Sequence, residues 1–236
     1  MKTGFPIQGG PRGSTSLVSL AHDEIAAAIY ADRLSAGSRI VIDSIATGLG
    51  ISISPVREAL ARLAAQGLVE FTENRGYTVL PRLSASELDQ LFRARMVIEA
   101  GAFAHMSEAT WLPGDVDRVS DALLEAKAGG TGPNYASYSS FSRADSAFHD
   151  SVLSLSGNRF LLAAWRSLHF HLQVSRLYES RGVVDFSEAT REHEAIWEAV
   201  SSGKPQQLRS ALAVHAENAR LRLVGLALDA NGIADA

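Results

Sequence analysis

The segment from Ser54 to Gly67 constrains the fold of this chain more than any other part of the sequence. Ser54 can cap a helix through its hydroxyl, Pro55 suits the first helical position, and Gly67 can adopt the left-handed conformation that ends a helix. Arg57 and Arg62 lie between these signals. Four apolar residues recur at helical spacing and form one narrow face: Val56, Ala59, Leu60 and Leu63. The segment therefore predicts a helix that packs through one face and exposes two arginines.

The flanking segments distinguish this helix from an ordinary amphipathic surface helix with a Glu58–Arg62 ion pair. Upstream, residues 43–49 predict another short helix followed by a tight connection, which is the layout of a helix-turn-helix. Downstream, two β-prone runs at 68–71 and 77–80 flank a turn. A hairpin directly after a recognition helix is a wing, so the sequence predicts a winged helix-turn-helix.

The run from Ile25 to Val79 resembles the winged-helix domain of the GntR family of bacterial transcription regulators. The resemblance rests on four pieces of sequence: Pro55-Val56-Arg57-Glu58-Ala59-Leu60, Arg62-Leu63, Gly67-Leu68-Val69 and Arg75-Gly76-Tyr77-Thr78-Val79. The family usually has an arginine directly before the Ser/Thr-Pro pair, where this chain has Ile53. That arginine commonly contacts DNA in the family, so we expect an operator sequence that departs from the usual one.

The resemblance implies a homodimer that binds a two-fold-related, double-stranded operator, with the helix from Pro55 in the major groove. The implied DNA-contacting residues belong to the helix-turn-helix and the wing: Ser52, Ser54, Arg57, Arg62, Arg75 and Gly76. The net charge is −4, from 22 basic and 26 acidic residues, so the whole chain does not attract nucleic acid. DNA affinity must come from a local patch, and tight specific binding requires the dimer.

Composition limits the other classes of protein. The chain has 236 residues and no cysteine, which fits a reducing cytoplasm and excludes disulfides and thiolate metal sites. No signal peptide or long apolar run is evident, so we expect a cytoplasmic protein without a membrane partner. We expect four parts: a disordered tail at 1–14, the winged domain at 15–82, an all-α domain at 83–229 and a flexible tail at 230–236.

The fold class predicted for the whole chain is mainly α, an N-terminal winged helix-turn-helix with a small β-hairpin followed by an all-α helical bundle. Ser16 to Ala31 predicts the first helix of the winged domain. Beyond the wing, helical periodicity and Gly or Pro breaks predict about six helices. The first runs from Ser84 or Ser86 to about Glu108, and the others lie at 113–127, 135–156, 158–180, 187–202 and 205–228.

Four residues of the bundle have the character of metal ligands. Asp145 and His149 are four residues apart on one predicted helix, so their side chains share a face. His193 and His215 lie ten residues before Gly203 and ten after Pro205, and therefore at similar height on an antiparallel pair of helices. Three imidazoles and a carboxylate suit a divalent metal such as zinc, nickel or manganese.

Spacing alone leaves a simpler alternative for these residues, because a histidine in a bundle is more often a surface group or a satisfied core residue than a ligand. The remaining histidines are interpreted in that simpler way: His22, His105, His169 and His171. His169 and His171 are only two residues apart, so both cannot face the same cavity.

Residues 84–228 resemble the FCD ligand-binding domain of the FadR branch of the GntR family. The matching pieces are Arg95-x-x-x-Glu99, Asp145-x-x-Phe148-His149, Ser156-Gly157-Asn158, His193-x-x-Ile196 with Gly203, and His215. In the metal-binding members an aspartate and three histidines at these positions hold the ion. Arg95 matches an arginine that often faces the cavity and binds an acidic effector, although an Arg95–Glu99 helix pair fits the spacing equally well.

The two resemblances imply a ligand-responsive DNA-binding transcription regulator, most often a repressor in this family, whose effector is a small organic or sugar acid. The competing interpretation is a metal-dependent enzyme that uses the His/Asp site. No obvious general base accompanies the ligands, and an enzyme does not need a winged domain. An architectural DNA binder would have no use for a polar buried site.

Overall fold

The computed structural model of the protein describes residues 16–107, 111–179 and 181–232. The chain divides after Arg82 into two compact units. The tail predicted at 1–14 lies outside the described residues. Of the tail predicted at 230–236, residues 230–232 belong to the last helix, and residues 233–236 lie outside the described residues. Within the described ranges, no helix combines the length and apolar character needed to span a bilayer.

The N-terminal unit is the predicted winged helix-turn-helix. It contains α1 (Leu17–Tyr30), α2 (Ile42–Leu49), α3 (Ile53–Ala65), β1 (Val69–Thr72) and β2 (Gly76–Val79). The two strands are antiparallel, with Val69 opposite Val79. Residues 37–40 run beside β2, where the Ile40 N–H donates to the Tyr77 carbonyl at 2.8 Å. The predicted apolar face of α3 is completely buried, so this face fixes the helix on the core.

The start of α3 differs from the prediction. Ser52 is the N-cap residue, with extended backbone, and its hydroxyl makes no capping hydrogen bond. Ile53 is the first helical residue, so Ser54 does not cap the helix and Pro55 occupies the third helical position. A proline is tolerated there because the first four N–H groups of a helix have no intrahelical acceptor. The C-terminal signal is confirmed, since Gly67 has a φ of +71° directly after the helix.

The described residues of the C-terminal unit form an all-α bundle of seven helices rather than about six. The helices are α4 (Ala85–Ala102), α5 (Pro113–Lys127), α6 (Tyr135–Ser154), α7 (Arg159–Ser167), α8 (Phe170–Ser175), α9 (Phe186–Ser201) and α10 (Pro205–Gly232). The helix predicted at 158–180 is two helices, because His169 adopts a left-handed φ of +45° between them. α4 ends at Ala102, well before Glu108, one residue after the weak helix former Gly101.

The core of the bundle consists of two apolar clusters and a group of buried polar side chains. One apolar cluster includes Phe92, Phe170 and Leu223, and the other includes Phe148 and Leu212. The buried polar group comes from α4, α6, α9 and α10, and includes Arg95, Glu99, His149, His193 and His215. A buried polar group costs free energy unless it is paired, so these side chains require partners.

Candidate functional site

Helices α6, α9 and α10 bring three of the predicted metal ligands together. His149, His193 and His215 are at most 3% exposed, and one ring nitrogen from each lies within 4.8 Å of the others. The Nε2 atoms of His149 and His193 are 3.3 Å apart, and the ring centroids of His193 and His215 are 4.6 Å apart. The turn around Gly203 pairs α9 with α10, which places His193 and His215 at the same height.

Asp145 lies beside this cluster and also contacts a histidine that sequence analysis assigned no role. Its Oδ1 atom is 3.3 Å from His193 Nε2 and 4.0 Å from His149 Nε2, while its Oδ2 atom is 2.8 Å from His171 Nδ1. Burial alone would raise the pKa of the Asp145 carboxyl, but the attraction and hydrogen bond of His171 reverse the effect and hold that pKa well below its usual range. Asp145 therefore carries a negative charge.

Burial keeps two of the clustered imidazoles neutral. It lowers the pKa of His149 well below its usual value, and the charge of Arg95 lowers it further. Burial, with electrostatic repulsion of a protonated ring by its neighbours as the smaller cause, lowers the pKa of His193 to about 3. The neutral imidazole is the form that binds metal ions, so both rings are available as ligands at neutral pH.

A carboxylate behind the cluster orients His215. Its Nδ1 atom lies 2.9 Å from Glu192 Oε2, and Glu192 also accepts hydrogen bonds from Asn218 Nδ2 at 2.9 Å and Arg222 Nη1 at 2.8 Å. An imidazole that donates from Nδ1 to a carboxylate keeps Nε2 as its acceptor atom, which is the usual support of a metal-binding histidine. Sequence analysis missed Glu192, although it directly precedes His193.

Arg95 belongs to the same buried group, where it makes the helix pair with Glu99 and also contacts His149. Its Nε donates to Glu99 Oε1 at 2.8 Å, which is the expected helix pair, and its Nη2 is 2.8 Å from His149 Nε2. Glu99 Oε1 also accepts from Trp165 Nε1 at 3.0 Å. The Nε2 atom of His149 has one lone pair, which cannot accept a hydrogen bond from Arg95 and coordinate a metal ion at the same time. Coordination through this atom therefore requires the Arg95 guanidinium to move away.

A cavity of about 130 Å³ opens next to this group at the start of α8. Trp165, Phe170 and His171 line it, and Asp150 and Arg166 lie at the same cavity. His169 lines it as well, so the expectation that both histidines cannot face one cavity is wrong, because the left-handed backbone at His169 breaks the predicted helix. Trp165 contacts Glu99, and His171 contacts the carboxylate of Asp145, so the cavity adjoins the buried polar group. Its volume suits only a small ligand.

In the winged unit, the predicted DNA-contacting residues are exposed except for Gly76, which is half-buried. Arg62 Nη2 lies 2.7 Å from Glu58 Oε1, so its charge is partly compensated. A groove of about 350 Å³ brings Arg57 and Gly76 together with Arg39, which sequence analysis did not single out. The remaining predicted residues do not line this groove: Ser52, Ser54, Arg62 and Arg75.

Two family models match the chain, one for each unit. Residues 18–79 match "Bacterial regulatory proteins, gntR family", and residues 90–218 match "FCD domain". The second match covers more than half of the chain and contains all four residues of the predicted metal site.

Full-length relatives agree with these matches. A protein of Paenarthrobacter nicotinovorans named "Probable D-xylose utilization operon transcriptional repressor" is 30% identical over 206 residues, which cover 85% of this chain and 86% of the relative. The "HTH-type transcriptional regulator LutR" of Bacillus subtilis is 29% identical over 197 residues, covering 75% and 87%. These relatives are transcription regulators rather than enzymes.

Solved structures support the fold. A crystal structure of a GntR transcriptional regulator from Rhodococcus sp. RHA1 superposes with a TM-score of 0.66 at 23% identity, covering 89% of this chain and 99% of that one. The E. coli McbR/YncC structure gives a TM-score of 0.62 at 18% identity, covering 89% and 97%. With a winged helix-turn-helix, an FCD bundle and full-length regulator relatives, this chain belongs to the gntR family of bacterial regulatory proteins.

Proposed function

We propose that this transcription regulator is a homodimeric repressor whose affinity for a two-fold-related operator changes when a metal-dependent effector site in the bundle binds a small carboxylic acid. One observation carries the proposal, namely that three buried histidines and a charged aspartate converge in the unit that lacks the winged helix. Burying polar side chains of this kind lowers the free energy of unfolding, and a bound ion would compensate that loss of stability.

The residues present fit a divalent metal. His149, His193 and His215 would supply imidazole nitrogens and Asp145 a carboxylate oxygen, a donor set suited to zinc, nickel or manganese. Glu192 favours binding through His215 Nε2 because it fixes the other ring nitrogen as a donor. The ion would supply a positive charge that attracts an oxyanion.

The charges of the site favour a monocarboxylate as effector. Arg95 and Glu99 form an ion pair, so their charges cancel. Asp145 carries one negative charge, so a divalent ion held by Asp145 and three neutral imidazoles would leave a net charge of +1 on the ion and its ligands. A single carboxylate group would neutralise that charge. The small cavity beside Trp165 and His171 agrees with a compact organic or sugar acid.

For the winged unit, we propose that α3 lies in the major groove of the operator. Arg57 and Arg62 would contact guanine or phosphate, and Ser52 and Ser54 would contact the backbone. Arg75 and Gly76 on the wing would contact the adjacent minor groove or phosphate. Each protomer would read one half-site, which is why operator symmetry mirrors the symmetry of a dimer. The regulator would act in the cytoplasm.

A selection experiment tests this function. Purified protein selects duplexes from a random pool, and we expect a sequence with two-fold symmetry. Monocarboxylic hydroxy acids and sugar acids are then titrated into the complex with zinc-loaded and chelator-treated protein. At least one acid should change the Kd for DNA about fivefold or more, and only with the zinc-loaded protein. Asymmetric selected sites, or equal responses of the two protein forms, would contradict the proposal.

A further inference from the structure

We propose that Arg39, which lies outside the helix-turn-helix and outside the two wing strands, contacts a phosphate of the DNA backbone across a groove from Arg57. The inference rests on the proposed DNA-binding role of the winged unit and adds a residue to its interface. It starts from the backbone of residues 37–40, which fixes where the Arg39 side chain can lie.

Residues 37–40 extend the wing sheet by one short stretch beside β2. The Gly37 N–H donates to the Val79 carbonyl at 2.8 Å, and the Val79 N–H donates to the Ser38 carbonyl at 3.0 Å. Arg39 pairs with Thr78 in an antiparallel bridge. Because successive side chains of an extended segment point to opposite faces, and Ile40 is buried at 3% exposure, Arg39 projects away from the core. It is exposed there.

The exposed side chain of Arg39 lines the groove of about 350 Å³ described above. Ile53 and Arg57 of α3 line another wall, and Gly76 and Tyr77 line the wing side. Arg39 Nε lies 3.9 Å from the position that a Cβ atom on Gly76 would occupy, so the guanidinium end of Arg39 reaches the beginning of β2. The groove therefore joins the recognition helix to the wing, with an arginine on each side.

The charges in this groove favour an anion. Among the described residues, neither Arg39 nor Arg57 makes an ion pair, in contrast to Arg62, which binds Glu58. Asp43 is the acidic residue that lines the groove, so two guanidinium groups and one carboxylate leave one uncompensated positive charge. A phosphodiester carries one negative charge, and guanidinium groups bind it through charge-assisted hydrogen bonds. A backbone phosphate held between Arg39 and Arg57 would fix the position of α3 on the duplex.

The test measures how DNA affinity depends on salt. The probe is the duplex that the wild-type protein selects from a random pool, titrated at 50 to 200 mM salt for the wild type, Arg39→Gln, Arg39→Lys and Arg57→Gln. The logarithm of the binding constant falls linearly with the logarithm of the salt concentration, and each lost phosphate contact makes this negative slope shallower by about 1. Because a homodimer loses this contact in both protomers, we expect the slope to become shallower by about 2 for Arg39→Gln, with affinity lower on the order of tenfold or more, and to be largely preserved for Arg39→Lys.

Two further variants complete the design. Arg191 lies exposed on α9 in the other unit, so Arg191→Gln removes the same charge at a site away from the groove and should bind as the wild type does. Asp43→Asn removes the carboxylate from the groove and should tighten binding. Melting curves of all variants show whether each remains folded, which keeps the Arg39 result interpretable.

The outcomes separate this inference from the proposed function. If Arg57→Gln weakens binding while Arg39→Gln keeps the wild-type slope, the inference about Arg39 is wrong and the interface on α3 stands. If Arg39→Lys loses as much as Arg39→Gln, the contact does not depend on charge and the phosphate contact is excluded. If neither Arg39→Gln nor Arg57→Gln changes binding, the proposed DNA interface itself is wrong.

Discussion

At the residue scale, Arg57 and Arg62 on the same helix have different electrostatic surroundings. Arg62 is bound to Glu58 at 2.7 Å, whereas Arg57 lines an open groove without an acidic partner among the described residues. An arginine that must leave an ion pair gains less from DNA. We therefore expect Arg57→Ala to weaken specific binding by about 1–3 kcal/mol and Arg62→Ala to weaken it less. Gel-shift titrations of both variants on one operator test this, and an equal or larger loss for Arg62→Ala would contradict it.

The buried histidines make a second residue-scale prediction, which concerns stability and pH. His193 has a pKa of about 3 in the folded protein and an unfolded value near 6.5, so the unfolded chain takes up its proton first as the pH falls. Stability is therefore complete above about pH 6.5 and is lost toward pH 3, by about 1.4 kcal/mol per pH unit for each such histidine. Because the pKa of His149 is lowered as well, metal-free protein should lose stability steeply below pH 6.5.

Urea unfolding of chelator-treated protein at pH 7 and pH 5, followed by tryptophan fluorescence, measures this loss. All three tryptophans, Trp111, Trp165 and Trp197, lie in the C-terminal unit, so the signal reports on that unit. His193→Gln cannot be protonated and should reduce the pH dependence. A variant with the same pH dependence as the wild type would show that His193 titrates normally in the folded chain.

The residues of the candidate site differ in how far sequence could predict them. His193 and His215 could be placed together because they lie at equal numbers of residues from one turn. The constant rise per residue of an α-helix then puts both at the same height on the paired helices. The place of His171 in the site could not be predicted, because it depends on the helix break at His169. His169 adopts a left-handed conformation there that no local sequence pattern indicates. Glu192 was missed since its role depends on α10, which supplies both His215 and Arg222.

At the scale of single elements, the N-terminus of α4 is the best-defined helix start of the bundle. Ser84 Oγ accepts from the Glu87 N–H at 3.2 Å, and Glu87 Oε2 accepts from the Ser84 N–H at 2.8 Å, which completes a capping box. Ser84→Ala should lower the free energy of unfolding of the C-terminal unit by about 1 kcal/mol. Ser86→Ala, at an exposed position in the same turn, should change it by less than about 0.5 kcal/mol. Equal effects of the two substitutions would show that the box contributes nothing.

Sequence predicted most elements because their ends carry local signals. Pro113 and Lys127 bound α5 as predicted, and Pro205 begins α10. Where several signals overlap, only packing decides, as at α3, which begins at Ile53 although Ser54 and Pro55 resemble a cap and a first residue. The difference matters for DNA recognition, because it makes the side chain of Ile53 part of the helix and of the groove beside Arg57.

At the scale of the whole molecule, each unit has its own core, so the two functions can be separated by mutation. The apolar face of α3 is buried within the winged unit, and the predicted metal ligands belong to the bundle. A metal that binds the folded bundle and not the unfolded chain stabilises it by mass action. Chelation should therefore lower the Tm reported by tryptophan fluorescence, while DNA binding without effector persists.

The metal content of the purified protein tests the central claim most directly. Elemental analysis of protein prepared without added metal or chelator should find about one zinc, nickel or manganese ion per chain. His193→Ala or His215→Ala should lose most of that ion, show a lower Tm, still bind DNA and no longer respond to the effector. A wild-type protein that contains no such metal, with His193→Ala unchanged in Tm, would contradict the account and reduce these residues to ordinary polar positions of the core.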